Sequence, residues 1–379
     1  LNILIIPEIN NIDESIKLAK EWNLGFEYND FFLPQILDDK DEIRRRVDIY
    51  RGLGRDMSND TMHGAFLDIT VHSEDKRIVK VSSDRIHSCM DIAQELGVKG
   101  VVFHTNIVPN FRTETYLDTW VKRNEEYWRK LLAEYPDQEI YIENMFDKGY
   151  DELKRLGEML DDEERFGVCL DYAHAVVFGW ESKEQWVKAL APYIKHMHIN
   201  DNDMRSDLHL PVGSGDISWG DYNIFMRRNN IDCSVLIECS GHERQRESLE
   251  YLKSRHFFPF EMTKEDVDRM NDNAKEVFKN YNVQVVQISN VLYKVINPDN
   301  VVNIDNLKVD LRECALITSG VTYDEDDKCI GKIYYIFTSV LDDNAIKECR
   351  QKAEAEYGKA LVFEHIERKY DPSSSIYML

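Results

Sequence analysis

The sequence predicts a (β/α)8 TIM barrel followed by a smaller α+β domain. Three observations support this class. Short apolar or β-branched runs recur eight times before residue 240, stretches with helical spacing separate them, and a metal-ligating side chain ends or follows most of the later runs.

The strands read as residues 1–6 (LNILII), 25–28, 58–63, 100–104, 139–143, 166–171, 194–199 and 233–238. Between them, 80–96 repeats Val81, Ile86, Met90, Ala93 and Leu96 at helical spacing, and 114–135 does the same with Tyr116, Trp120, Tyr127 and Leu131. Eight such units close near Arg255, giving a catalytic barrel over residues 1–258 and a second domain over 259–379, with the border within 256–261. The second domain reads as a helix carrying Val267, Met270, Ala274, Val277 and Phe278. Strand-like runs follow near 283–296, 307–321 and 329–340, then a helix near 342–357 and a polar tail at 371–375. Tyr334, Tyr335 and Phe337 read as strand packing, and no repeat or chemical motif gives this domain a role.

The 379 residues carry a formal charge of −23, which favours solubility and opposes nonspecific attraction to nucleic acid or anionic membrane. Acidic runs at 161–164 and 324–327 read as solvated turns. Seven cysteines without a CxxC pair, and no long apolar segment, lead to the expectation of a reduced, cytoplasmic setting. The opening LNILIIPEI is too short and lacks the basic flank of a signal peptide. Cys169, Cys233 and Cys239 lie in or beside strands and read as small buried hydrophobes, so no cysteine catalysis is expected.

Nine residues form the candidate metal site: His63, His104, Glu143, Asp171, His174, His198, Asp207, His209 and Glu238. In a barrel, strand C-termini converge on one mouth, so residues distant in sequence meet there. Glu143, Asp171, His198 and Glu238 make a set of three carboxylates and one imidazole that suits Mn²⁺, Mg²⁺, Fe²⁺ or Zn²⁺. Asp171 and His174 (Asp-x-x-His), and Asp207 and His209 (Asp-x-His), let single loops present paired ligands. His63 and His104 bring imidazoles beside Glu143, whose two oxygens suit a bridge between ions. One to three divalent ions, zinc or manganese foremost, are the expected cofactor.

The ordered motifs HGAFLDIT, VVFHTN, YIENM, GVCLDYAHA, HMHINDND, DLHLPVGSGDISW and LIEC resemble those of the xylose isomerase-like barrels over about residues 1–255. That superfamily includes sugar isomerases, sugar epimerases and endonuclease IV. Resemblance to endonuclease IV implies three zinc ions, held by His63, His104 and Glu143; by Glu143, Asp171, His198 and Glu238; and by His174, Asp207 and His209. Resemblance to the epimerases implies one ion at Glu143, Asp171, His198 and Glu238, with Glu143 and Glu238 as catalytic residues that exchange protons with neighbouring sugar carbons.

The first expectation is accordingly a sugar or sugar-phosphate isomerase or epimerase working through an enediolate. Arg205 is a candidate for substrate binding, against an exposed salt bridge; Trp180 and Trp219 are candidates for an apolar sugar-facing wall, against packing. The alternative is metal-dependent phosphodiester hydrolysis at abasic DNA sites, which the full ligand set suits. The loop at 29–34 lacks the basic cluster that DNA needs, and Phe66 reads as packing rather than as a wedge. A third expectation is a non-catalytic, sugar-sensing barrel. The expected partner is a small sugar or sugar phosphate, without nucleic acid or membrane, and a homo-oligomer is compatible. Gly213-Ser214-Gly215 reads as a turn into a helix capped by Ser218 with Asp221.

Overall fold

The computed structural model describes residues 2–261, 263–281, 283–289, 292–298, 315–323, 329–337 and 364–365. Eight parallel strands close into a barrel in chain order: β1 (Ile3–Ile5), β2 (Gly25–Tyr28), β3 (Thr61–His63), β4 (Gly100–His104), β5 (Glu139–Glu143), β6 (Phe166–Asp171), β7 (Ile194–Ile199) and β8 (Ser234–Ile237). β8 returns to β1 with Val235 opposite Ile3, which completes the closure expected from sequence.

The helices are α1 (Ile12–Trp22), α2 (Pro34–Leu37), α3 (Lys40–Gly52), α4 (Lys76–Leu96), α5 (Glu114–Glu134), α6 (Asp151–Met159), α7 (Tyr172–Phe178), α8 (Lys183–Leu190), α9 (Trp219–Arg228), α10 (His242–Ser254) and α11 (Lys264–Lys279). Their ends carry the expected chemistry. The Asp39 carboxylate accepts from the amides of Asp41 and Glu42 at the start of α3, Ser182 and Gln185 form a capping box on α8, and Gly97 ends α4 with φ of 76°. Ser218 does occupy the N-cap of α9 but makes no side-chain cap hydrogen bond, so the capping box expected there does not form.

Side-chain alternation fixes what lines the barrel. Val102, Tyr141 and Cys169 form one buried cluster, and two residues further along their strands stand His104, Glu143 and Asp171. The strand period of two thus stacks these three polar side chains over that cluster, at the C-terminal mouth.

Two compact units emerge from the packing, Leu1–Ile217 with Asp232–Tyr251, and Ser218–Ile231 with Leu252–Leu379. Within the second, α9 is tied to the segment after α10. Asn223 Oδ1 accepts from the Phe258 amide at 2.9 Å, Arg227 donates to the carbonyls of His256 and Phe260, and the Tyr222 and Phe258 rings meet at 6.2 Å. This unit also holds a five-stranded sheet of β9 (Gln284–Ser289), β10 (Leu292–Pro298), β11 (Ala315–Tyr323), β12 (Cys329–Phe337) and β13 (Glu364–His365), ordered β13-β11-β12-β10-β9 with antiparallel pairing. The run expected as one strand at 283–296 is therefore two antiparallel strands. Tyr334 and Tyr335 pair in register with Val295 and Lys294. The expected helix at 342–357, the tail at 371–375, the acidic run at 324–327 and the start of the 307–321 run lie outside the described residues.

Candidate metal centre

Glu143 ends β5 fully buried, and histidines from four other elements surround its carboxylate. Oε2 lies 3.2 Å from His104 Nε2, 3.3 Å from His198 Nδ1 and 3.5 Å from His63 Nε2, while Oε1 lies 3.3 Å from His174 Nδ1. Neither oxygen has a hydrogen-bond partner of good geometry, and the same is true of the buried Asp171 Oδ2, His198 Nδ1 and Asp207 Oδ1. Unsatisfied buried atoms of this kind are costly unless a cation completes them.

Local chain geometry explains the short motifs. Asp171 ends β6 and caps α7: one carboxylate oxygen accepts from the His174 amide at 2.6 Å, so His174 sits on the first turn and Oδ2 is left for the cluster. Asp207 and His209 come from the long loop after β7. Asp201 pins that loop by pairing with Leu210 and by accepting from the amides of Gly213, at 2.9 Å, and Ile217, at 3.2 Å. Asp207 Oδ2 then lies 3.3 Å from His174 Nε2 and 3.1 Å from His209 Nε2. Glu238, one residue past β8, reaches His198 Nδ1 at 3.6 Å and His209 Nδ1 at 3.7 Å.

All nine predicted ligands therefore meet in one region, and their donor atoms fall into overlapping sets: His63, His104 and Glu143; Glu143, Asp171 and His174; Asp171, His198 and Glu238; and His174, Asp207 and His209. Three histidines spend Nδ1 on a main-chain carbonyl, His63 on Gly64 at 2.9 Å, His174 on Asn144 at 2.8 Å and His209 on Glu238 at 3.0 Å. Each leaves Nε2 for a ligand role.

The charges respond to one another. Burial would raise the Glu143 carboxyl, but His104 and His198 outweigh it and hold Glu143 well below the usual range. Burial, reinforced by Glu238 and Glu143, pushes Asp171 well above its ordinary value, against the pull of His174. Burial opposes the charged form of His209, yet Glu238 and Asp207 raise it to about 10. Protons here balance a concentration of carboxylates that cations would otherwise balance.

The weaker substrate-binding candidates are placed differently. Trp180 lies between α7 and α8, 68% exposed, with its amide bonded to the Lys148 carbonyl in the loop after β5. Trp219 is 2% exposed at the start of α9, its ring 5.0 Å from that of Tyr222, which fits packing. Arg205 is exposed and its amide donates to Asp203. Phe66 packs its ring 5.3 Å from His63 and 4.7 Å from His104. Cys169, Cys233 and Cys239 are buried, and burial raises all three thiols.

Sequence reasoning missed Glu27 and His196, both fully buried inside the barrel, and Asn144, whose amide brackets the Asp171 backbone with two 2.9 Å bonds. A signal existed for one of them: His196 and His198 are two apart on a strand and so share its inward face.

Among the described residues, no helix is long and apolar enough to cross a membrane. The "Probable endonuclease 4" of Staphylococcus aureus (strain MRSA252) is 23% identical over 230 residues, covering 54% of this chain and 76% of that protein. Two solved structures share the fold at a TM-score of 0.53. One, a D-tagatose 3-epimerase-like protein, is 20% identical, with 67% of this chain and 96% of that one covered. The other, the IOLI protein with a binding zinc atom, is 15% identical, with 68% and 99% covered. The family model of the xylose isomerase-like TIM barrel matches residues 16–255, and the chain belongs to that family.

Proposed function

We propose that the barrel is a divalent-metal-dependent phosphodiester hydrolase whose ligand set is the nine residues above. The observation that carries this reading is the position of Glu143. Both its oxygens face histidines, so it suits a bridging ligand between two ion positions better than a free base. The orphaned buried atoms of Glu143, Asp171, His198 and Asp207 fit cations. Ions held there would supply Lewis-acid polarisation and neutralise the charge that builds on a phosphoryl group. Glu143 and Asp171 fix the spacing of the groups, and Phe66 screens His63 and His104 from water on one side. Glu238, at 7% exposure, stands slightly open to the mouth. The likeness to a protein named a probable endonuclease 4 supports the same class.

The second reading is a sugar or sugar-phosphate isomerase or epimerase in which Glu143 and Glu238 move a proton through an enediolate. The charge of −23 and the absence of a basic residue at 29–34 favour it over DNA as substrate. One preparation, assayed for cleavage of an abasic-site duplex and for solvent deuterium exchange into ketoses and ketose phosphates, separates the two. Hydrolysis predicts cleavage, with His209→Ala nearly as damaging as Glu143→Gln. Exchange without cleavage, with His209→Ala the milder lesion, would overturn the proposal.

A further inference from the structure

Beneath the candidate metal centre lies a second polar layer to which the nine residues assign no part. Glu27, the third residue of β2, points into the barrel fully buried, between Phe26 and Tyr28 that pack elsewhere. Its Oε2 accepts from Thr61 Oγ1 at 2.7 Å and lies 2.9 Å from His196 Nε2, while Oε1 lies 3.2 Å from His198 Nε2. On its other side His196 Nδ1 meets Ser234 Oγ at 2.6 Å, and Tyr141 stacks on the ring at 5.4 Å. Strands β2, β3, β5, β7 and β8 all contribute to the layer.

The tautomers follow from the acceptors. A carboxylate only accepts, so Glu27 keeps a proton on His196 Nε2, and the Ser234 hydroxyl then donates to His196 Nδ1. The second Glu27 oxygen makes a charge contact with His198 Nε2 that favours a proton there, without hydrogen-bond geometry. For His198 this leaves Nδ1 as the lone pair, 3.3 Å from Glu143 Oε2 and 3.6 Å from Glu238 Oε1. His198 is thus the reverse of His63, His174 and His209, which give Nδ1 to a main-chain carbonyl and offer Nε2. Among the described residues no main-chain carbonyl accepts from His198; a buried anion from a neighbouring layer takes that place.

We propose that Glu27 is a positioning residue for the metal centre: it sets the tautomer and ring orientation of His198, with Thr61 and His196 fixing the carboxylate. This inference rests on the nine residues being metal ligands, but not on which reaction they serve. An outer carboxylate on a ligand imidazole holds the ring and raises its basicity, and loss of such a partner typically costs 10–100-fold in metal affinity.

The experiment is titration of metal-free wild type, Glu27→Gln and Thr61→Val with Co²⁺ and with Zn²⁺ against a competing chelator. The visible Co²⁺ spectrum and the melting temperature of each metal-free protein are recorded in parallel. A glutamine offers an oxygen to only one of the two imidazoles, so Glu27→Gln should lose affinity at one ion position by about 10–100-fold and shift the Co²⁺ bands. Thr61→Val should weaken binding several-fold, and its result stands alone if Glu27→Gln does not fold. A folded Glu27→Gln with wild-type affinity and spectrum, whatever its melting temperature, would overturn the proposal, as would unchanged binding by Thr61→Val where Glu27→Gln is unfolded. Failure of wild type to bind either ion would instead sink the ligand assignment itself.

Discussion

His63 and His104, on adjacent strands β3 and β4, bring their Nε2 atoms to 3.1 Å from each other. His63 already donates Nδ1–H to the Gly64 carbonyl, so its Nε2 is a lone pair aimed at the same point as that of its neighbour. A proton on His104 Nε2 would satisfy that lone pair, and on the proposed reading a shared cation takes the place of that proton.

On the proposed reading that they share one ion, the two histidines should not act independently. His63→Ala and His104→Ala should each lower the bound metal by about one ion per chain, and the double variant should lose no more than either single one. Elemental analysis after dialysis at a fixed free metal concentration checks this. Two ions lost in the double variant would refute the shared site.

Metal removal should destabilise the barrel. At a free ion concentration of about 100 times Kd, one ion adds about 2.7 kcal/mol. For a domain of this size that corresponds to a melting temperature higher by about 5–10 °C. Calorimetry with and without a chelator measures it, and identical transitions would contradict the centre.

Gly64 has a packing reason to be glycine. A Cβ there would stand 2.3 Å from Cε1 of Phe103, which is 1% exposed. Gly64→Ala should cost about 1–3 kcal/mol in urea unfolding. A neutral outcome would mean that Phe103 turns aside freely.

His72 should make the protein acid-sensitive without involving the metal centre. Burial, with Arg123 adding to it, lowers His72 from 6.5 to about 4. The unfolded chain therefore binds that proton first, so the His72 contribution is undiminished above pH 6.5 and stability is lost as pH falls from about 6.5 towards 4. Urea midpoints at pH 7 and pH 4.5 should differ less for His72→Gln than for wild type. Equal losses would remove His72 as the cause.

The barrel and the convergence of the nine candidate ligands were legible because strand ends are marked twice, by an apolar run and by the polar residue that closes it. What escaped was any partner set by packing across the barrel. Glu27 sits in GFEY, where a single acid in an apolar strand reads as solvent-facing, and only closure of the barrel shows that this face is interior. Strand limits escaped for a similar reason. The run at 58–63 shortens to Thr61–His63 because Asp60 turns aside to accept from the Phe26 amide and the Tyr28 hydroxyl, both at 2.9 Å. The run at 283–296 holds a polar Ser289-Asn290 pair between two β-branched segments, and those segments pair antiparallel as two strands.

Asp201 gives the centre a modular character. Six of the nine candidate ligands are carried by barrel strands or by the residue directly beyond one, and His174 by the first turn of α7, whereas Asp207 and His209 hang on one loop that the buried Asp201 carboxylate helps to hold in shape. On the proposed reading, the number of ions is then adjustable separately from the scaffold. Rewriting residues 202–217 would remove or re-aim Asp207 and His209 and leave the other seven candidate ligands on the scaffold.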